Sequence, residues 1–100
     1  MATSKKNAIC EYAFSSLNDV ISFAKFVSYA EELSQLSELF EDEKSIDDYQ
    51  KTWFQLEIVN SLALSEWENE GRPVDWQSRW ESDYKQDASE LIAELLRSLK

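Results

Sequence analysis

An all-α fold, a compact up-and-down bundle of three to four long helices with short loops, is predicted by three features of the chain. Its 100 residues include one glycine and one proline, so the tight turns that join β-strands are almost unavailable. Apolar residues recur at spacings of three, four and seven, which line one face of a helix. The clearest punctuation, Gly71-Arg72-Pro73, is that of a helix ended by a glycine cap with proline soon after. With 43% hydrophobic and 13% aromatic residues the chain can bury a real core, and a single domain over 1–100 is expected.

The elements follow in order. Residues 1–14 suit an N-terminal arm or a short helix, and Ala8-Ile9-Cys10-Glu11-Tyr12 fits either. Ser16-Leu17-Asn18-Asp19 opens a helix whose apolar positions Val20, Phe23, Phe26, Ala30, Leu33, Leu36 and Phe40 continue to about Asp42. That stripe drifts too fast for one straight helix, so a bend or break is expected between Tyr29 and Ser34. Ser45-Ile46-Asp47-Asp48 reads as the next start, with Ser45 as N-cap and a helix from about Ile46 to Glu70. Tyr49, Trp53, Leu56, Ala63 and Trp67 share one side of it, with Asn60 among them, while Phe54, Ile58 and Leu62 occupy another. Two apolar sides predict a central helix with two neighbours. After Pro73, Asp75 is the expected N-cap of a last helix from about Trp76 to Leu99, with Trp80, Tyr84, Ala88, Leu91, Leu95 and Leu99 facing inward. The short connections fall at 43–45 and 71–75, and a monomer or weak dimer is expected.

Composition excludes much chemistry. There is no histidine, which removes Ser-His-Asp and Cys-His catalysis and histidine-containing metal sites. Cys10 is the only cysteine, so no intramolecular disulfide can form and a reducing cytoplasm is the expected location. A phosphate-cradling loop needs several glycines. The acids at 41–43 and 47–48 lack the alternating pattern and central glycine of a calcium loop. No cofactor, metal or enzymatic activity is therefore expected. Lys5 and Lys6 are followed too soon by Glu11 for a signal peptide, and Lys25 interrupts the most apolar window, so no membrane span is expected.

Charge is the informative feature. Twenty acids against ten bases give a net charge of −10, a field that repels nucleic acid and anionic membranes and attracts a basic protein. On the last helix Asp83, Asp87, Glu90 and Glu94 repeat at four, three and four, beside Trp76 and Trp80. A second stripe holds Glu31, Gln35, Glu38 and Asp42. Between Glu31 and Asp48 eight acids face one base, Lys44. An amphipathic helix needs a solvated face, but such a face commonly pairs its acids with bases at i,i+4. These residues are the candidate partner-binding set, with Trp76 and Trp80 as aromatic anchors and Trp53 and Trp67 as core.

The segment Trp53-Phe54-Gln55-Leu56-Glu57-Ile58-Val59-Asn60-Ser61-Leu62-Ala63-Leu64-Ser65-Glu66-Trp67, followed by Glu70-Gly71-Arg72-Pro73, resembles small helical immunity proteins of bacterial contact-dependent growth-inhibition and nuclease-colicin systems. The resemblance covers the C-terminal half and includes no shared functional motif, so no binding residue carries over. It implies a cognate nuclease toxin domain, an RNase or DNase with the RNase favoured, whose substrate groove the acidic surface would cover. Two other readings stand beside it. A DNA mimic would need about twenty ordered charges to imitate about 35 Å of duplex, and here 20 acids are diluted by 10 bases. An adaptor or assembly subunit would use the charge only for solubility.

Overall fold

The computed structural model describes residues 5–100, and they form an all-α bundle with no strand among them. Helix α1 spans Lys5–Ser15 and continues through a 3-10 turn, Ser16–Asn18, into α2, Val20–Leu33. A second 3-10 turn, Ser37–Leu39, leads to α3, Glu43–Asn69. Three abutting segments, Gln77–Arg79, the π-helical turn Trp80–Tyr84 and Lys85–Arg97, make the last helix, α4. Of the N-terminal region left between arm and helix, residues 7–14 are helical and residues 1–4 lie outside the described residues.

Aspartates start the two middle helices. Asp19 has extended backbone, and its carboxylate accepts from Ser22 N–H at 2.7 Å and Ser22 O–H at 3.1 Å. Asp42 does the same for Ser45, at 2.9 Å to both N–H and O–H. The backbone bond from Ser45 holds the Asp42 carboxyl below the usual carboxylate range. The expected N-cap, Ser45, is thus the donor rather than the acceptor, and α3 starts three residues before Ile46. Asp75 likewise is not a cap: α4 starts at Gln77 behind Trp76, without a side-chain bond.

The helix expected to run from Val20 to Asp42 stops at Leu33, inside the stretch from Tyr29 to Ser34 where a bend or break is expected. Ser34, Gln35 and Leu36 donate to Glu31, Glu32 and Leu33, three residues back, which tightens and ends the turn. Phe40 is then extended, so Leu36 and Phe40 reach the core from a connection and not from a helix face. At the other end of α3 the Gly71 expectation holds. Gly71 has φ +89°, its N–H donates to Glu68 O, and Arg72 N–H donates to Trp67 O, the paired bonds of a Schellman cap.

One core joins all four helices: Ile9 and Ala13 of α1, Phe23, Phe26, Val27 and Ala30 of α2, Tyr49, Leu56 and Ala63 of α3, and Trp80, Ala88, Ile92 and Leu95 of α4. Each of the larger side chains, once removed from water, contributes roughly 2 kcal/mol. Aromatic polar groups tie the layers together by donating to helix carbonyls: Tyr49 O–H to Ala30 O at 2.7 Å, Trp53 Nε1 to Val27 O at 2.8 Å, and Trp80 Nε1 to Leu17 O at 2.7 Å. The 27 residues of α3 span about 40 Å, matching the molecule's longest dimension of 42 Å. This helix packs against α2 and α4, as a central helix should. Both neighbours sit on its core side, however, and α1 packs on α2 and α4 instead, so the second apolar side of α3 is left without a covering helix.

Candidate binding surface

The acids of α4 occupy the helix face opposite Ala88, Ile92 and Leu95. Asp83, Asp87, Glu90 and Glu94 are all exposed, along about 16 Å of helix. Asp83 is partly neutralised, because Arg79 Nε donates to its Oδ2 at 2.9 Å. The same guanidinium binds Glu66 and lies 3.0 Å from Glu70 Oε2, so it latches the start of α4 to the end of α3. Among the described residues no ion pair reaches Asp87, Glu90 or Glu94, and these three form the unpaired row, with Lys51 and Arg97 lining a groove beside Glu94 at its end.

Beside that row runs a shallow groove lined by Gln55, Ile58 and Val59 of α3 and by Asp87, Glu90, Leu91 and Glu94 of α4. Its apolar wall continues onto the outer face of α3, where Phe54, Ile58 and Leu62 are 60%, 47% and 59% exposed. Ile58 lies about 200° around the helix from the buried Leu56, directly away from the core. Sequence reasoning assigned this side to a second neighbour and so missed it as surface. The usable signal was its position opposite the Tyr49, Leu56 and Ala63 row, in a chain with too few helices to cover both sides.

Trp76 and Trp80 are not surface anchors. Trp80 is fully buried against Phe23, with ring centroids 5.3 Å apart, and Trp76 is 6% exposed with its indole donating to Glu70 Oε1 at 3.1 Å. The physical reason is spacing: Trp76, Trp80 and Tyr84 are four residues apart and share the inward helix face, and a π turn follows in which Lys85 N–H donates to Trp80 O five residues back. Both indoles stack on Tyr84, whose O–H lies on the Glu66 carboxylate. Trp53 and Trp67 are half-buried against the core, Trp67 donating to Pro73 O at 3.1 Å.

The second acidic stripe is not a helix face either. With α2 ending at Leu33, Glu31 stays on its last turn, Glu38 sits in the 3-10 turn 3.4 Å from Lys5 Nζ, and Asp42 caps α3. Nearby, Lys44 pairs with Asp48 at 3.0 Å, and that hydrogen bond raises the lysine above its usual range. The structure therefore brings together Asp87, Glu90 and Glu94, keeps Asp83 at their edge, and disperses Glu31, Glu38 and Asp42.

Among the described residues no group of three or more acidic or cysteine side chains is placed to hold a metal ion, and no helix is long and apolar enough to cross a membrane. Comparison with family models, with curated proteins and with solved structures finds no match for the chain.

Proposed function

We propose that this chain is a non-enzymatic inhibitor that binds a basic protein, with a nuclease toxin domain as the partner class, in the manner of an immunity protein. The observation that carries the reading is the row of Asp87, Glu90 and Glu94, exposed together on one helix and, among the described residues, in no ion pair. Like charges held on one face repel one another, and a lysine- and arginine-lined substrate groove would relieve that repulsion on binding. Carboxylates seated in phosphate subsites also exclude the nucleic acid. An RNase domain is the favoured target, following the resemblance noted in the C-terminal half.

The row is a poor copy of a duplex. Along about 16 Å, DNA presents about ten phosphates, against four carboxylates here, one of them paired with Arg79. A short acidic row suits a few phosphate subsites of a nuclease better than it imitates a length of duplex.

Co-expression with a basic nuclease domain encoded in an adjacent reading frame tests the reading. Restored growth together with a stoichiometric complex on size-exclusion chromatography is the expected result. Undiminished toxicity would reject inhibition, and a complex that leaves nuclease activity intact would point to an adaptor.

A further inference from the structure

The uncovered side of α3 has a geometry that charge alone does not explain. Phe54, Ile58 and Leu62 recur at i, i+4 and i+8 and make a continuous ridge about 12 Å long. Ile58 belongs both to this ridge and to the groove whose far wall is Asp87, Glu90 and Glu94. An apolar line and an acidic line therefore run side by side along two packed helices. We propose that this paired track is the docking site for a basic amphipathic helix of the partner, with its apolar row on Phe54, Ile58 and Leu62 and its lysines or arginines over Asp87, Glu90 and Glu94.

The proposal rests on the reading that the partner is a basic protein and specifies how it is held. A helix fits because its residues three and four apart fall on one face, the spacing of both lines, and an adjacent flank of bases would meet the acids. A second copy of this chain fits badly. A two-fold axis across α3 would set the Asp87, Glu90 and Glu94 row against itself. An axis along α3 would set it against the opposite flank, where Glu31 and Gln35 line the groove beside Phe54. Either pairing joins two molecules of net charge −10 through acidic margins.

The test uses a labelled 15-residue amidated peptide with leucines at i, i+4, i+7 and i+11 and lysines along one adjacent flank. Its control is a scrambled peptide of the same composition. Fluorescence anisotropy at low salt should show the amphipathic peptide binding at least about tenfold tighter than the scrambled one. Phe54→Ala with Leu62→Ala should weaken it by about tenfold or more without lowering the melting temperature, since both side chains are exposed. Equal binding of the two peptides, or unchanged binding by the ridge variant, overturns the docking proposal. Neutralising Asp87, Glu90 and Glu94 to the amides separates the two readings. If only that variant loses the peptide, the acidic row stands and the ridge falls; if neither variant loses it, both fall. Sedimentation of the free protein supplies the last outcome, because a wild-type dimer that the ridge variant dissolves would overturn the proposal in favour of self-association.

Discussion

Tyr49→Phe removes one oxygen atom and should change both the size of the stability and its dependence on pH. The last four carbonyls of α2 have no donors further along the helix. The tightened turn supplies Glu31, Glu32 and Leu33 with donors from Ser34, Gln35 and Leu36, and leaves Ala30 O to the Tyr49 hydroxyl at 2.7 Å. Both partners are fully buried, so the phenylalanine variant strands an acceptor in the core, at a cost of about 1–2 kcal/mol, or roughly 4–16 °C in Tm. Burial, with a smaller contribution from Tyr29, pushes the Tyr49 hydroxyl well above the ordinary tyrosine range. Above about pH 10 the unfolded chain loses this proton while the folded chain keeps it. The unfolded state then binds fewer protons, and stability falls as pH rises, by up to about 1.4 kcal/mol per pH unit from this group. The variant lacks that loss. Urea unfolding measured across alkaline pH should show the wild type ahead by about 1–2 kcal/mol up to about pH 9 and the two curves meeting near about pH 11. Curves that stay parallel to about pH 11.5 would refute the assignment of a buried, hydrogen-bonded Tyr49.

Further stability measurements probe single features. Gly71→Ala should cost about 1 kcal/mol in urea unfolding, because φ +89° strains any side chain even though nothing lies near the new Cβ. Asp19→Ala should also cost about 1 kcal/mol by removing the cap on Ser22, with Asp19→Asn retaining most of it. Asn60 sits on the core face of α3 with its Oδ1 buried and without a donor among the described residues, so Asn60→Leu should raise stability by about 1 kcal/mol, read as a Tm increase of about 4–8 °C. A decrease would show that the Asn60 amide is better satisfied, or more tightly packed, than this geometry indicates.

The helices were legible where local chemistry and tertiary packing agree. Gly71 needs only its own backbone freedom to end α3, and the Tyr49, Leu56 and Ala63 row needs only helical periodicity to be recognised as core. The start of α3 was misplaced because Asp42 and Ser45 are both good capping residues, and only the extended backbone at Asp42 decides which accepts. Trp80 already lies on the inward face that the spacing predicts, and Trp76 and Tyr84, four residues to either side, share that face; the anchor reading gave the neighbouring acids more weight than this spacing. In the candidate site, Asp87, Glu90 and Glu94 share a face through local spacing alone and were found. Phe54, Ile58 and Leu62 are surface because α1 packs on α2 and α4; spacing places the three opposite the core row, but which helix covers that side is a long-range outcome that spacing alone does not fix.

The most direct measurement is the rate of association with the basic nuclease domain, followed by stopped flow over a range of ionic strength. Reversing Asp87, Glu90 and Glu94 to lysine should slow association at low salt by about tenfold or more and flatten its salt dependence, while the melt stays close to that of the wild type. A control reversing Glu31, Glu32 and Glu41, which changes the net charge equally but lies off the α4 row, should keep most of the rate. Equal slowing by both triple variants would mean that only total charge steers the encounter, and an unchanged rate in the first would contradict a functional acidic row.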